Sequence, residues 1–404
     1  MKAALIICVA AGLAAAQVSP NKYTATQSKS VAAARATAPT SHSTSNIQGT
    51  AFDRYVVVFC ENTDYSKAAG DPNFAWLASK GITLSNYFGV THPSQPNYVA
   101  SIGGDNFGME NDNFNQIAFN VSTVIDLLED KGISWGSYQE DMPYSGFEGF
   151  GYSTTGANDY VRKHHPEVIY NANTTPQRLS NMKNLTMFYQ ELKNKQLPQY
   201  LTITPNMTND GKSSCHDTSV TVAGQFLRSF FEPLLSDTYF MQDTLILVTF
   251  DETHSYSTVN RVFGVLLGDA VPSNLAGTED NNYYNHYSDI ATVEANWKLH
   301  TLGRWDVGAN VFSFIADQTG DTLRSNDAIT GSNPTRFQRS SFAGPFSSQK
   351  SAPYPAPNTG LARNGRTVLP AIQELWGGYS CNYCDYYTDS VVIPDGDNPP
   401  PGYD

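Results

Sequence analysis

A serine held between two prolines is the first group in this chain with the makings of a nucleophile. Ser94 lies in Thr91–Gly104, THPSQPNYVASIGG. Pro93 fixes φ just before it, and Pro96 suits the first turn of a helix, where its missing N–H is no loss. This places Ser94 near the N-cap of a short helix through Tyr98–Ile102, stopped by Gly103-Gly104. The free N–H groups and the positive dipole end of such a helix favour an arriving anion such as phosphate. An ordinary helix cap has the same local signature, so the choice between cap and nucleophile rests on what else the chain supplies.

It supplies carboxylates at strand ends. Tyr55–Phe59 and Leu245–Phe250 are continuous apolar runs that read as strands buried on both faces. The first runs into Cys60-Glu61-Asn62 and the second into Asp251-Glu252. If the two strands are parallel neighbours, Glu61, Asn62, Asp251 and Glu252 converge at the carboxyl edge of one sheet, where open α/β proteins place their sites. A solvated strand end is the other reading of Glu61-Asn62. Close carboxylates repel unless a cation sits among them. With the Ser94 oxygen, this set of hard donors suits a divalent ion: Ca²⁺, Mg²⁺ or Mn²⁺, with Zn²⁺ as the softer option. Such an ion would lower the pKa of the Ser94 hydroxyl and polarise a phosphoryl oxygen. His216 and His286 follow strands in polar loops and are candidates to hold phosphate oxygens or protonate a leaving alkoxide. Taken singly, each also reads as a structural histidine. His164-His165, beside Pro166, reads as a surface pair, with metal binding as the alternative.

The elements that must position these groups alternate. Strands are expected at Tyr55–Phe59, Ile82–Phe88, Ser134–Tyr138, Gln199–Thr204, Leu245–Phe250 and Arg261–Leu267. Helices are expected at Asp71–Ser79, Val121–Lys131, Asn184–Lys193, Thr218–Leu234 and Ile290–Trp297. Such alternation predicts an α/β fold, a largely parallel central sheet sandwiched by helices. Gly146–His165 reads as a long loop over the site.

The flanks differ in character. Residues 1–16 carry Lys2, an apolar core and Ala14-Ala15-Ala16, the pattern of a secretory signal peptide. Residues 17–50 are rich in Ser, Thr and Ala without apolar periodicity, and read as a disordered arm or propeptide. Residues 51–318 form the expected catalytic domain. Residues 319–404, with Pro-rich runs at Pro353–Pro357 and Pro394–Pro401, read as an irregular wrap or mobile extension. The formal net charge of −13 makes nucleic acid and anionic membrane unsuitable partners. Secretion gives the sequons at Asn120, Asn173, Asn184 and Asn206 an expected glycan wherever they are exposed.

Taken in order, Phe59-Cys60-Glu61-Asn62-Thr63-Asp64-Tyr65, Thr91-His92-Pro93-Ser94-Gln95-Pro96-Asn97-Tyr98, Pro205-Asn206-Met207, His216-Asp217, Phe250-Asp251-Glu252 and His286-Tyr287-Ser288 resemble a known group. It is the phosphoesterase family that joins secreted fungal acid phosphatases to bacterial phospholipases C, within the alkaline-phosphatase-like superfamily. The resemblance spans roughly Phe52–Ala316 and is strongest to the fungal enzymes. It implies an alkaline-phosphatase-like fold, Ser94 as nucleophile, and metal contacts from Glu61, Asn62, Ser94, Asp251 and Glu252. It also implies phosphate-binding or proton-transfer roles for His92, His216 and His286, with Asp217 in support, and an acid pH optimum. The chain departs from the pattern where Gly211–Cys215 separates the Asn-Asp pair from His216-Asp217.

The leading expectation is therefore a secreted acid phosphatase acting on small phosphate monoesters through a metal-assisted phosphoserine. A phospholipase C or other phosphodiesterase on the same fold is the nearest rival. A Ser-His-Asp esterase is disfavoured by the absence of a G-x-S-x-G elbow, and a non-catalytic cell-wall glycoprotein by the full set of donors. Of the cysteines left after Cys8 departs with the signal peptide, Cys60 and Cys215 each directly precede a site motif, Glu61 and His216. If those motifs converge, a Cys60–Cys215 disulfide becomes feasible, with Cys381–Cys384 pairing locally. A buried free thiol at Cys60 is the alternative.

Overall fold

A computed structural model describes residues 28–154, 156, 159–211, 219–347, 353–377 and 386–403. Its centre is a nine-stranded sheet. The strands are β1 (Arg54–Cys60), β2 (Ile82–Phe88), β3 (Trp135–Gln139), β4 (Met182–Asn184), β5 (Tyr200–Thr204), β6 (Thr244–Phe250), β7 (Arg261–Leu267), β8 (Thr278–Asp280) and β9 (Tyr284–Asn285). They lie in the order β8-β2-β7-β6-β1-β5-β3-β4, and β9 extends the edge by pairing with β2. Only β7 runs antiparallel to its neighbours, so the sheet is largely parallel, as the alternation of strands and helices required.

Register decides where the acidic strand ends go. β1 and β6 pair in parallel from Arg54↔Thr244 to Cys60↔Phe250. The next residues, Glu61 and Asp251, therefore leave the sheet side by side at its carboxyl edge. Both strands are buried on both faces, which is why their sequences show no alternation. Below one face, Phe74 packs on Phe250 and Phe263. Above the other, Phe59 meets Tyr98 and His286. Those partners belong to α1 (Pro72–Ala78), to α2 (Ser94–Gly103) and to α3 (His286–Trp297).

Both flanks lie against the body where they are described. The arm expected to be disordered is laid on the body from residue 28 onward: Ser45 Oγ and Ile47 N both donate to Gln199 Oε1, at 2.6 and 2.8 Å. Gln199 Nε2 returns bonds to the carbonyls of Ile47 and Asp53, and Trp297 Nε1 donates to Ile47. Residues Ser28–Thr37 form a helix, tied to the body where Arg35 Nε donates to the Pro143 carbonyl, and the stretch after it is satisfied by polar side chains of the body. The described residues of the C-terminal stretch wrap the same core. Tyr386, Tyr387, Ile393 and Tyr403 are buried in it, and the Tyr387 hydroxyl donates to Asp105 Oδ2 at 2.8 Å. Among the described residues no helix is long and apolar enough to cross a membrane.

Candidate active site

Ser94 is carried to the β1–β6 edge from β2 by the loop 89–93, and the loop is pinned by one amide. Asn97 Oδ1 accepts from the N–H groups of Val90 and Thr91, while its Nδ2 donates to the carbonyls of Thr91 and Pro93. Asn260 Nδ2 adds a bond to the Thr91 carbonyl. α2 then begins at Ser94 itself, with Pro93 as N-cap, and ends at Gly104 in the left-handed region at φ 73°. Ser94 is thus the first helical residue, one step inside the expected cap.

The buried Ser94 Oγ faces three acceptor oxygens: Glu61 Oε2 at 3.1 Å, Asn62 Oδ1 at 3.1 Å and Glu252 Oε1 at 3.2 Å. A hydroxyl has one proton and can satisfy one of them. Asn62 Nδ2 meets Glu252 Oε1 at 2.5 Å. Asp251 is fully buried beside the Glu61 carboxylate, and no donor group among the described residues reaches either of its carboxylate oxygens. Burial, and then the adjacent Glu61 and Glu252 charges, push Asp251 well above the ordinary carboxylate range. Burial also raises Glu252, against the opposing pull of its bond to His92. Crowded oxygens sharing one proton, beside an orphaned carboxylate, fit a hard divalent cation. No trio of His, Cys, Asp or Glu alone forms a ligand cluster among the described residues. The donor set that fits is a mixed one, completed by the Ser94 hydroxyl and the Asn62 amide.

The histidines divide differently from expectation. His92 Nδ1 bonds Glu252 Oε2, its ring stacks on Tyr256 with centroids 3.8 Å apart, and its buried Nε2 has no partner among the described residues. His286 differs. Its Nε2 is 2.6 Å from the Asp251 carbonyl oxygen and its Nδ1 is 3.1 Å from the Tyr87 hydroxyl, which also meets Asp289 at 2.9 Å. Burial lowers its pKa to about 4. With both nitrogens engaged, the neutral ring holds the main chain at Asp251, as in the structural reading that the sequence left open for His286.

His164-His165 is also corrected. The pair is buried. A short hairpin, Gly151–Tyr152 with Tyr160–Val161, feeds the turn Arg162–His164, which Arg162 locks through bonds to the carbonyls of Asn115 and Val168. His164 Nε2 then lies 2.9 Å from Glu61 Oε1, and its ring stacks on Tyr98. Tyr98 donates to the same Glu61 oxygen at 3.1 Å. His165 stands behind, bonded to Ser137 Oγ and Tyr160 OH. Tyr98 had a readable signal, since it lies one helical turn after Ser94 and shares its face. His164 and Tyr256 had none, because only the folding of their loops brings them to the edge.

His216 and Asp217 lie outside the described residues, as do Cys215, Cys381 and Cys384. Cys60 is a buried free thiol among the described residues, while the other half of the expected Cys60–Cys215 pair lies outside them; its neighbour Phe250 packs on Phe74, so β1 directs this position away from Ser94. Pro205-Asn206 is bound elsewhere. Asn206 Nδ2 donates to Asp141 Oδ2 at 2.6 Å and its N–H to Glu140. A cavity of about 630 Å³ lies beside that loop, lined by Glu140, Asp141, Tyr144, Tyr152 and Asn184, and contains none of the groups around Ser94.

The model of the phosphoesterase family matches residues 9–300. The chain belongs to the phosphoesterase family. Among its relatives, an acid phosphatase of Aspergillus fumigatus is 55% identical over 298 residues, covering 71% of this chain and 66% of that protein. A phosphate-repressible acid phosphatase of Penicillium chrysogenum is 46% identical over 388 residues, covering 95% of this chain and 92% of its own length. An acid phosphatase of Aspergillus niger is 43% identical over 360 residues, at 87% and 84% coverage. A solved member of the alkaline phosphatase superfamily from Vibrio parahaemolyticus aligns with 68% of this phosphoesterase and 76% of its own chain, at 13% identity and a TM-score of 0.39.

Proposed function

We propose that this phosphoesterase is a secreted acid phosphatase that hydrolyses small phosphate monoesters through a phosphoserine on Ser94. The observation that carries this is the Ser94 oxygen, buried at the start of α2 and ringed by Glu61, Asn62 and Glu252 within 3.1–3.2 Å. Glu61, Asn62, Ser94, Asp251 and Glu252 would hold a divalent cation, which would favour the Ser94 alkoxide and polarise the phosphoryl group. Ser94 gives up its proton to a neighbouring carboxylate and attacks phosphorus as the ester P–O bond breaks and the departing alkoxide takes up a proton, with the N-terminal N–H groups of α2 toward the oxyanion; water then attacks the phosphoserine, releasing phosphate and restoring the Ser94 hydroxyl. The unpartnered His92 Nε2 takes a phosphoryl oxygen, and Glu252 fixes that ring by its bond to Nδ1. His164 and Tyr98 hold Glu61 in place from behind. The names of the fungal relatives support monoesters as substrates, and the leader at residues 1–16 supports export.

The test is turnover of p-nitrophenyl phosphate against its bis ester, with and without chelator, followed by an acid quench and peptide mapping. Monoester turnover, chelator sensitivity and phosphate on Ser94 are expected. A preference for the diester would move the enzyme to the phosphodiesterase branch, and turnover with no phosphoserine would reject the covalent route.

A further inference from the structure

We propose that Lys163 receives the negative charge of the substrate's phosphoryl group, and that Asp112 fills that position in the resting enzyme as an internal stand-in for phosphate. This rests on the phosphatase reading and specifies the charge the site takes: that of a monoester, a dianion above its second pKa of about 6.

The argument begins with how Asp112 is bound. Its Oδ1 accepts the Gln95 N–H at 3.0 Å, and its Oδ2 lies 2.8 Å from Lys163 Nζ. Gln95 directly follows Ser94 in the first turn of α2, a ten-residue helix. One carboxylate is therefore held by a helix N-terminal amide and by an ammonium, the two kinds of donor that hold a phosphoryl oxygen. The amide that would greet an anion at Ser94 is already occupied by one.

The two partners differ in freedom. Lys163 lies in the locked turn Arg162–His164, between the buried Arg162 and the His164 that touches Glu61. Its side chain is 14% exposed, that of Asp112 31%. Asp112 comes from an irregular segment and is the more exposed of the two, whereas Lys163 sits in the turn that carries His164 to the ligand cluster. The Asp112 charge also reaches the mouth of the site, where it contributes to raising both Glu252 and Tyr256. Burial works against the Lys163 charge, but Glu61, Asp112 and Asp251 outweigh it and keep the ammonium protonated.

Charge balance gives the pair its purpose. Glu61, Asp251 and Glu252 crowd one edge, and a phosphate dianion approaching them gains from a cation already in place. As the phosphoryl group arrives, its oxygens replace the Asp112 carboxylate at the Gln95 N–H and at Lys163. A diester carries one charge fewer and gains less from the exchange.

The experiment measures phosphate affinity by calorimetry, and KM and kcat on p-nitrophenyl phosphate and its bis ester, in the full-length secreted protein and in K163Q, K163R and D112N. Expected for K163Q is a roughly tenfold or greater loss of phosphate affinity and a matching rise in monoester KM, with the diester losing at least about fivefold less. K163R should recover most of the phosphate affinity, which separates lost charge from a damaged fold. D112N should bind phosphate more tightly than wild type. Equal phosphate affinity in wild type and K163Q, no phosphate binding in wild type, or weaker binding in D112N would overturn the assignment. Wild-type protein that binds phosphate through Lys163 yet hydrolyses neither ester would sink the phosphatase reading alone.

Discussion

His164 Nε2 lies 2.9 Å from Glu61 Oε1. The contact joins a histidine on a glycine- and tyrosine-rich loop to a carboxylate at the end of β1. Glu61 is thereby gripped from two sides, by His164 and Tyr98 at Oε1, with Oε2 toward Ser94. His164→Ala should leave Glu61 poorly oriented and lower metal content and kcat together, by roughly 10–100-fold. Metal analysis alongside turnover checks this, and a variant with full metal content and full turnover would reduce His164 to packing.

Ser94→Ala should lower turnover of p-nitrophenyl phosphate by at least about a thousandfold and leave the Tm within a few degrees. The side chain is small, and Pro93 and the Asn97 bonds still set the loop. Retained turnover would reject Ser94 as nucleophile.

Asp251→Asn should lose metal and activity together. Its effect on the chelated protein has the opposite sign. The folded-state pKa of Asp251 is raised, so its contribution to stability is complete below the unfolded value and is lost as pH rises through the folded one. At neutral pH the crowded carboxylate therefore destabilises the metal-free fold, and the Asn variant should melt higher than chelated wild type. Melting curves with and without chelator decide it.

Glu167 gives a pH dependence away from the metal ligands. It is fully buried, its Oε1 accepts from Thr202 Oγ1 at 2.6 Å, and burial raises it to about 7. It is neutral in the folded protein under mildly acid conditions. Stability should fall as pH rises from about 4.5 through 7, by up to about 3 kcal/mol. Glu167→Gln should remove that fall, so the two proteins match near pH 4.5 and diverge above it. Parallel denaturant titrations across pH would expose a failure.

Asn173 should be recovered without glycan. It is buried, and its Oδ1 accepts from Arg178 Nη1 at 3.1 Å. Asn206 is likewise buried against Asp141. Asn120 and Asn184 are only partly buried and are the better acceptors. Glycopeptide mapping of the secreted protein reads this directly.

The sequence by itself determined the sheet and the placement of its acidic ends. Unbroken apolar runs such as Tyr55–Phe59 and Leu245–Phe250 have one stable home, a strand covered on both faces, and the polar residues after them must emerge at an edge. Proline and glycine likewise bounded α2 around Ser94 before any contact was known. Tertiary structure decided what local pattern cannot encode. The parallel register Cys60↔Phe250 made neighbours of Glu61 and Asp251. Loop closure turned His164 inward and aimed Lys163 at Asp112. Both nitrogens of His286 were taken up in holding Asp251, and the polar arm at 28–50 was ordered by side chains such as Gln199. A polar residue in a loop carries no periodic signal of the direction it faces; that direction is set by partners far away in the chain, which exist only once the core has formed.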